Sequence, residues 1–276
     1  MRILPSATTV LAICAGLTSI KFALDERPHV ALALIGAAAV LDGIDGGIAR
    51  ALDAQSRMGA EIDSLADAVN FGVAPALVIY VTLLPTSPIG WIFVLLYAVC
   101  IVLRLARFNA LLDDDNQPAY TRQYFVGMPA PCGAVGVVGL LAAMLQFGDG
   151  WWNSQWFVCF WLAANSALLV SRVPTLALKS VSVPTNAAPI LLILVAVAAA
   201  GLLLFPYVLV LLIIVGYVLI IPFTIRSQRW VAARPEAWND KPGQRRAARR
   251  AIRRGDQPAR RSAERLGLRK PGRPGR

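Results

Sequence analysis

Four aspartates, Asp42, Asp45, Asp63 and Asp67, stand in sequence that is otherwise apolar. They form two pairs, spaced three and four residues apart, and a helix puts each pair on one face. Carboxylates that face one another repel. One or two hard divalent cations among them relieve that repulsion, because such ions prefer oxygen ligands. The bland alternative is a pair of polar helix ends near water, but acids within membrane spans default to function. Gly46, Ala49 and Gly59 lie beside these acids and lack bulk, so a helix or ligand can approach the backbone closely. Arg50 adds a cation suited to a bidentate phosphate contact. Metal ligands, an arginine and a floor of small residues describe a diphosphate site. Its position in a bilayer implies that the diphosphate carries a lipid.

The elements that must position these residues are apolar helices. The chain has 276 residues, 57% of them hydrophobic, and apolar runs of about twenty residues recur along most of it. Eight spans can be drawn, at 6–24, 29–50, 62–84, 89–111, 128–147, 155–173, 187–204 and 207–225. An all-α integral membrane protein is expected. Asp42 and Asp45 then come late in the second span and Asp63 and Asp67 early in the third, so two antiparallel helices face their carboxylates across a gap. The four cysteines (Cys14, Cys100, Cys132 and Cys159) fall inside apolar runs without metal-ligand spacing and read as buried thiols. His29 is the one histidine, which removes any two-histidine mechanism and leaves carboxylates as the acid/base groups. The first apolar run lacks a basic leader beyond Arg2 and a small-residue cleavage site, so no cleavable signal peptide is expected.

Charge sets the orientation. The net charge is +11, yet residues 226–276 carry +13 and the first 225 carry −2. Arg50 and Arg57 lie between spans two and three, and Arg104, Arg107 and Arg122 flank the loop after span four. Arg172 and Lys179 follow span six, and the basic tail follows span eight. The positive-inside rule puts both termini and the aspartates at the cytoplasmic side of the cell membrane. Residues 1–225 are thus read as the catalytic membrane domain and 226–276 as a disordered basic tail. The tail either only holds the C-terminus inside or adheres to anionic lipid headgroups, and the second reading is preferred. Asp113-Asp114-Asp115 reads as a solvated loop, since three adjacent acids cannot share a helix face.

At this point the residues support a resemblance. Asp42-x2-Asp45-Gly46-x2-Ala49-Arg50-x8-Gly59-x3-Asp63-x3-Asp67 matches, at every defined position, the signature of the CDP-alcohol phosphotransferases. The resemblance implies a six-helix core, commonly in a homodimer. It also implies displacement of CMP from a CDP-linked lipid or alcohol by a hydroxyl, with two divalent ions, Mg²⁺ or Mn²⁺. Asp42, Asp45, Asp63 and Asp67 would hold the metals, with Asp67 also the general base. Gly46, Ala49, Arg50, Ser56 and Gly59 would line the CDP site. Near the start, Pro5-Ser6-Ala7-Thr8-Thr9 resembles the family's P-N-x-x-T with serine in place of asparagine, which adds Ser6 and Thr9 to that site.

Two further segments resemble the branch of the family that makes phosphatidylserine: Arg104-Leu105-Ala106-Arg107-Phe108-Asn109 and Phe125-Val126-Gly127-Met128-Pro129-Ala130-Pro131. That branch implies CDP-diacylglycerol and L-serine as substrates, with Arg104, Arg107 and Asn109 at the acceptor or a phosphate. The alternative for the arginines is simple anchoring of a span at the membrane surface. Glycerol 3-phosphate or inositol phosphate are the alternative acceptors. No nucleic acid is expected beyond the CDP moiety. A rival from another class is a divalent-cation transporter, but paired repeats with broken helices at the midplane are not visible.

Overall fold

In the bilayer no water satisfies exposed amides, so each spanning segment must close its hydrogen bonds within itself. The structure, a computed structural model, describes residues 3–51, 57–112, 124–171, 174–176 and 204–232, with the single positions 193, 196, 197, 200 and 201. The described chain runs up and down through α1 (Ile3–Leu24), α2 (Pro28–Ala51), α3 (Arg57–Asp67), a π-helical turn (Ala68–Val73), α4 (Ala74–Leu83) and α5 (Pro88–Leu112). It continues through α6 (Ala130–Phe147), α7 (Gln155–Val170) and α8 (Pro206–Ala232).

Among the described residues, six stretches are long and apolar enough to cross a membrane. They are Ala7–Leu24, Pro28–Gly47, Met58–Leu83, Pro88–Ala110, Ala130–Phe147 and Pro206–Arg226. Gln155–Val170 is a shorter apolar helix of 16 residues. The chain is an all-α integral membrane protein. Of the eight expected spans, 187–204 falls mostly outside the described residues, as do Asp113–Asp115 and the tail beyond Ala232. The third span begins at Arg57 rather than near 62, so Asp63 and Asp67 lie well inside a helix.

One feature not foreseen from sequence is a break in helical pitch directly after Asp67. The rod Met58–Leu83 contains the π-helical turn, in which the Ala74 N–H reaches back to Val69 O. Pro75 lies at the end of that turn and has no N–H to offer the carbonyl four residues earlier, that of Phe71. The buried Tyr97 hydroxyl of α5 donates to Phe71 O instead, at 2.8 Å. Such turns occur often at functional sites. At the start of α5, Ser87 Oγ accepts the Gly90 N–H at 3.0 Å, which caps a helix that opens on Pro88.

The second unforeseen feature is a short ribbon. Tyr124–Val126 (β1) pairs antiparallel with Pro174–Leu176 (β2), Phe125 opposite Thr175. Six residues of strand leave the fold class unchanged. They lash the segment before α6 to the segment after α7. The core between the helices is packed by Phe71, Ile79, Tyr97, Ile101, Leu141 and Leu162, all 2% exposed or less. Large apolar side chains on the outward faces, such as Leu103 of α5 and Leu219 of α8, suit contact with lipid.

Gly127 joins β1 to α6 at φ +85°, and a Cβ there would stand 2.7 Å from Leu169 O and 2.9 Å from Ser171 O. Both obstacles are backbone and cannot swing aside. Gly127→Ala is therefore expected to destabilise the protein by about 1–3 kcal/mol, read as a lower melting temperature in detergent.

Candidate active site

The alternating path of the helices collects one set of helix ends: the start of α1, the end of α2, the start of α3, the end of α5, the start of α6 and the end of α7. All the sequence-predicted polar residues that the structure describes lie at this end of the bundle.

The first link joins α1 to α2. Thr9, 3% exposed, donates its hydroxyl to Asp45 Oδ2, and Asp45 is itself 4% exposed. The second link joins α2 to α3. The carboxyl groups of Asp42 and Asp67 are close neighbours, and Asp63 and Asp45 both lie within electrostatic reach of Asp42. Carboxylates grouped in this way repel one another unless a proton or a cation lies among them. Asp42 and Asp67 are half-buried and Asp63 is exposed. The four acids predicted from spacing are thus neighbours across two helices.

Their chemistry fits hard cations. Every donor is an oxygen, and Asp42 Oδ1 and Asp45 Oδ1 are buried with no hydrogen-bond partner. Among the described residues, however, no three acidic, histidine or cysteine side chains are gathered tightly enough to hold an ion. The carboxylates are grouped on two facing helices but not closed into a cage.

The third set of links comes from α5. Arg104 donates through Nε to Met128 O at 2.7 Å, and its guanidinium lies within electrostatic reach of Asp67. Arg107 donates to Val170 O, at the end of α7, at 3.1 Å. Asn109 donates to Ser64 Oγ of α3 at 2.9 Å. So Arg104 and Asn109 reach the helix that carries Asp63 and Asp67, whereas Arg107 braces α7. Sequence reasoning named the three donors and missed their acceptors. Met128 O and Val170 O are backbone atoms, for which side-chain identity gives no signal. Ser64 was legible only as the neighbour of Asp63.

Gly46 and Gly59 are half-buried in α2 and α3. Ala49, Arg50 and Ser6 lie on helical backbone, but their side chains are outside the description, and Ser56 falls outside the described residues. Asn70 was not singled out from sequence. It is 1% exposed on the π-helical turn, its amide has no hydrogen-bond partner, and its Oδ1 fills the space where a Cβ on Gly16 would be. That contact brings α1 against the turn after Asp67.

A bundle of apolar helices that gathers four carboxylates, a threonine and an arginine at one end defines a membrane-embedded enzyme working on a polar group at the bilayer edge. Residues 2–163 match the family model described as CDP-alcohol phosphatidyltransferase. The chain belongs to that family, and it is a transferase of phospholipid synthesis. It is 63% identical over 254 residues to the CDP-diacylglycerol–serine O-phosphatidyltransferase of Mycobacterium tuberculosis, covering 92% of this chain and 89% of the relative. The enzyme of the same name from Mycobacterium leprae is 62% identical over 92% of this chain and 85% of its own length. That of Bacillus subtilis is 38% identical over 53% of this chain and 77% of its own.

Thr9→Val keeps the shape at position 9 and removes the donor that Asp45 Oδ2 has among the described residues. With a chelator present, it is expected to lower stability by about 1–3 kcal/mol, the cost of leaving a buried polar group unpaired. Melting of the detergent-solubilised protein against wild type measures it.

Proposed function

We propose that this protein transfers the phosphatidyl group of CDP-diacylglycerol to the hydroxyl of L-serine, giving phosphatidylserine and CMP. The observation that carries this reading is the grouping of Asp42, Asp45, Asp63 and Asp67 between α2 and α3 in a chain so similar, over nearly its whole length, to enzymes named for that reaction.

In this reading Asp42, Asp45, Asp63 and Asp67 hold two divalent ions, Mg²⁺ or Mn²⁺. When bound, these supply Lewis-acid polarisation of the phosphoryl oxygens and neutralise charge on the departing phosphate. The remaining work belongs to side chains. Asp67 accepts the serine hydroxyl proton through a carboxylate oxygen. The serine oxygen forms its bond to the phosphorus that carries diacylglycerol, and the bond from that phosphorus to the bridging oxygen breaks. CMP leaves with the bridging oxygen. Gly46, Ala49, Arg50, Ser56 and Gly59 line the CDP moiety, with Ser6 and Thr9 at its edge. Thr9 also orients Asp45 through their hydrogen bond.

Arg104 is the group we assign to the serine carboxylate or the lipid phosphate, because its charge lies beside Asp67. Arg107 and Asn109 support the same pocket by tying α5 to α7 and to α3. The site faces the cytoplasm, where serine is dissolved, and both termini lie on that side. Residues 1–225 form the catalytic domain, which works as a homodimer, and the basic tail from 226 adheres to anionic headgroups.

Purified protein in mixed micelles, given CDP-diacylglycerol and Mg²⁺ or Mn²⁺, is expected to form labelled lipid with serine. Chelation should stop the reaction and either metal restore it. Product with glycerol 3-phosphate or inositol phosphate in place of serine would overturn the acceptor assignment. Asp67→Asn should lower turnover by at least about a hundredfold, the scale of general-base catalysis, while CDP-lipid binding largely survives. Activity near wild type would remove Asp67 as the base.

A further inference from the structure

The side of α1 that faces the bundle is made of small residues. Among the described residues its buried positions are Thr9, Ala12, Gly16, Ser19 and Ala23, spaced three and four apart along one face. Helix α1 packs on α2 and on the rod that runs from α3 through the π-helical turn to α4. Small residues let helices approach closely. They supply no large ridges to interlock, so a seam of this kind does little to fix how far α1 is turned or slid along its neighbours. The Ser19 hydroxyl is donated to Gly16 O of its own helix, at 2.6 Å. Two polar contacts do fix the seam. One is the Thr9 hydroxyl on Asp45. The other lies seven residues on, about 10.5 Å along the helix, where Gly16 meets Asn70.

A Cβ on Gly16 would collide with Asn70 Oδ1 and stand 3.6 Å from Asn70 Cα, so α1 rests on the backbone of the π-helical turn. The hydrogen that glycine carries in place of a Cβ points at the amide oxygen, a weak Cα–H···O contact of the kind found where helices pack closely. The same geometry recurs where Gly136 of α6 meets Asn165 Oδ1 of α7. The two asparagines differ in their nitrogens. Asn165 Nδ2 donates to Trp161 O at 2.9 Å. Asn70 is 1% exposed, and among the described residues neither of its amide atoms has a hydrogen-bond partner. A buried unpaired amide costs stability, and leucine, of nearly the same shape, would avoid that cost. Packing alone therefore does not account for an amide at position 70. Its place does: it stands three residues after Asp67, against the helix whose Thr9 holds Asp45.

We propose that Asn70 is a positioning residue: its amide seats α1 on the π-helical turn at Gly16 and thereby, through Thr9, sets Asp45 at its distance from Asp63 and Asp67. This rests on the transferase reading above, in which these acids hold the divalent ions, and adds how the acids of α2 and α3 are kept in register. Helix α1 is continuous from Thr9 to Gly16, so a shift at the seat is carried to the Asp45 contact two turns away. Asp45 Oδ1 is buried without a hydrogen-bond partner among the described residues. The direction in which that oxygen is presented depends on how Thr9 holds Oδ2.

Mn²⁺ binding to the detergent-solubilised full chain, followed by titration calorimetry without substrate, tests the proposal alongside melting in chelator. Outer partners of a metal ligand contribute about ten- to a hundredfold in affinity. The Mn²⁺ dissociation constant is therefore expected to rise at least about tenfold in Thr9→Val and at least about threefold in Asn70→Leu. Asn70→Leu should melt no lower than wild type, and a residue needed only for packing would not combine that with weaker binding. In the double variant the loss should not exceed that of Thr9→Val alone, because both changes act through one hydrogen bond. Asn165→Leu, in the matching contact between α6 and α7, should leave Mn²⁺ binding unchanged. Unchanged Mn²⁺ affinity in Asn70→Leu overturns the proposal, as does a fully additive loss in the double variant. Weaker binding in Asn165→Leu as well would mean a general loosening of the bundle and overturn it too. If Asn70→Leu does not accumulate, Asn70→Ala decides by the same Mn²⁺ titration, alone and with Thr9→Val. Wild-type protein separates the two claims. If it binds no Mn²⁺, the two-ion site fails and the role of Asn70 with it, whereas normal wild-type binding with unchanged affinity in Asn70→Leu sinks only the role of Asn70.

Discussion

The structure depends on holding four carboxylates close together in a medium that does not solvate them. Acids in hydrocarbon are costly, and acids beside one another more so. The bundle meets this by placing them at one end, on two successive helices, where Asp63 is open, Asp42 and Asp67 are half-buried and Asp45 is buried. Thr9 gives Asp45 a donor, Arg104 gives Asp67 a neighbouring cation, and Asp42 and Asp67 face each other. What is left over, two buried carboxylate oxygens without partners, is the capacity that a hard cation would use.

Precision at that end comes from backbone as much as from side chains. The π-helical turn after Asp67 changes the facing of everything that follows in the rod, and Tyr97 supplies the hydrogen bond that Pro75 cannot. Arg104 and Arg107 spend donors on main-chain carbonyls of two separate elements. The β1–β2 ribbon and the left-handed Gly127 lock the same two elements from the other side. Arg104, both a brace and a charge, ties the position of the segment that opens α6 to the electrostatics of Asp67. A substitution there disturbs fold and site together.

Much of this was legible beforehand. Long apolar runs dictate helices in a bilayer, because no other single-segment structure closes its own hydrogen bonds there. The spacing of Asp42, Asp45, Asp63 and Asp67 dictates which face they share, because the helical period is set by backbone geometry. The sequence also marked Arg104, Arg107 and Asn109 at the end of a span, and the family resemblance marked Thr9. It did not reveal the β ribbon, whose two three-residue strands are too short to carry an alternating pattern. Nor did it reveal the π-helical turn, for which Pro75 was the one available clue.

By itself, then, the sequence determined the fold class, the grouping of the four aspartates and the end of the bundle where they sit. These follow from local periodicity and from the cost of burying charge. Only the tertiary structure decided that Thr9 partners Asp45, that Arg104 stands beside Asp67 with its Nε on Met128 O, and that Asn109 reaches Ser64. These are relations between helices far apart in the chain. Their distances depend on how side chains of different size pack at each crossing, and a one-dimensional pattern does not encode that.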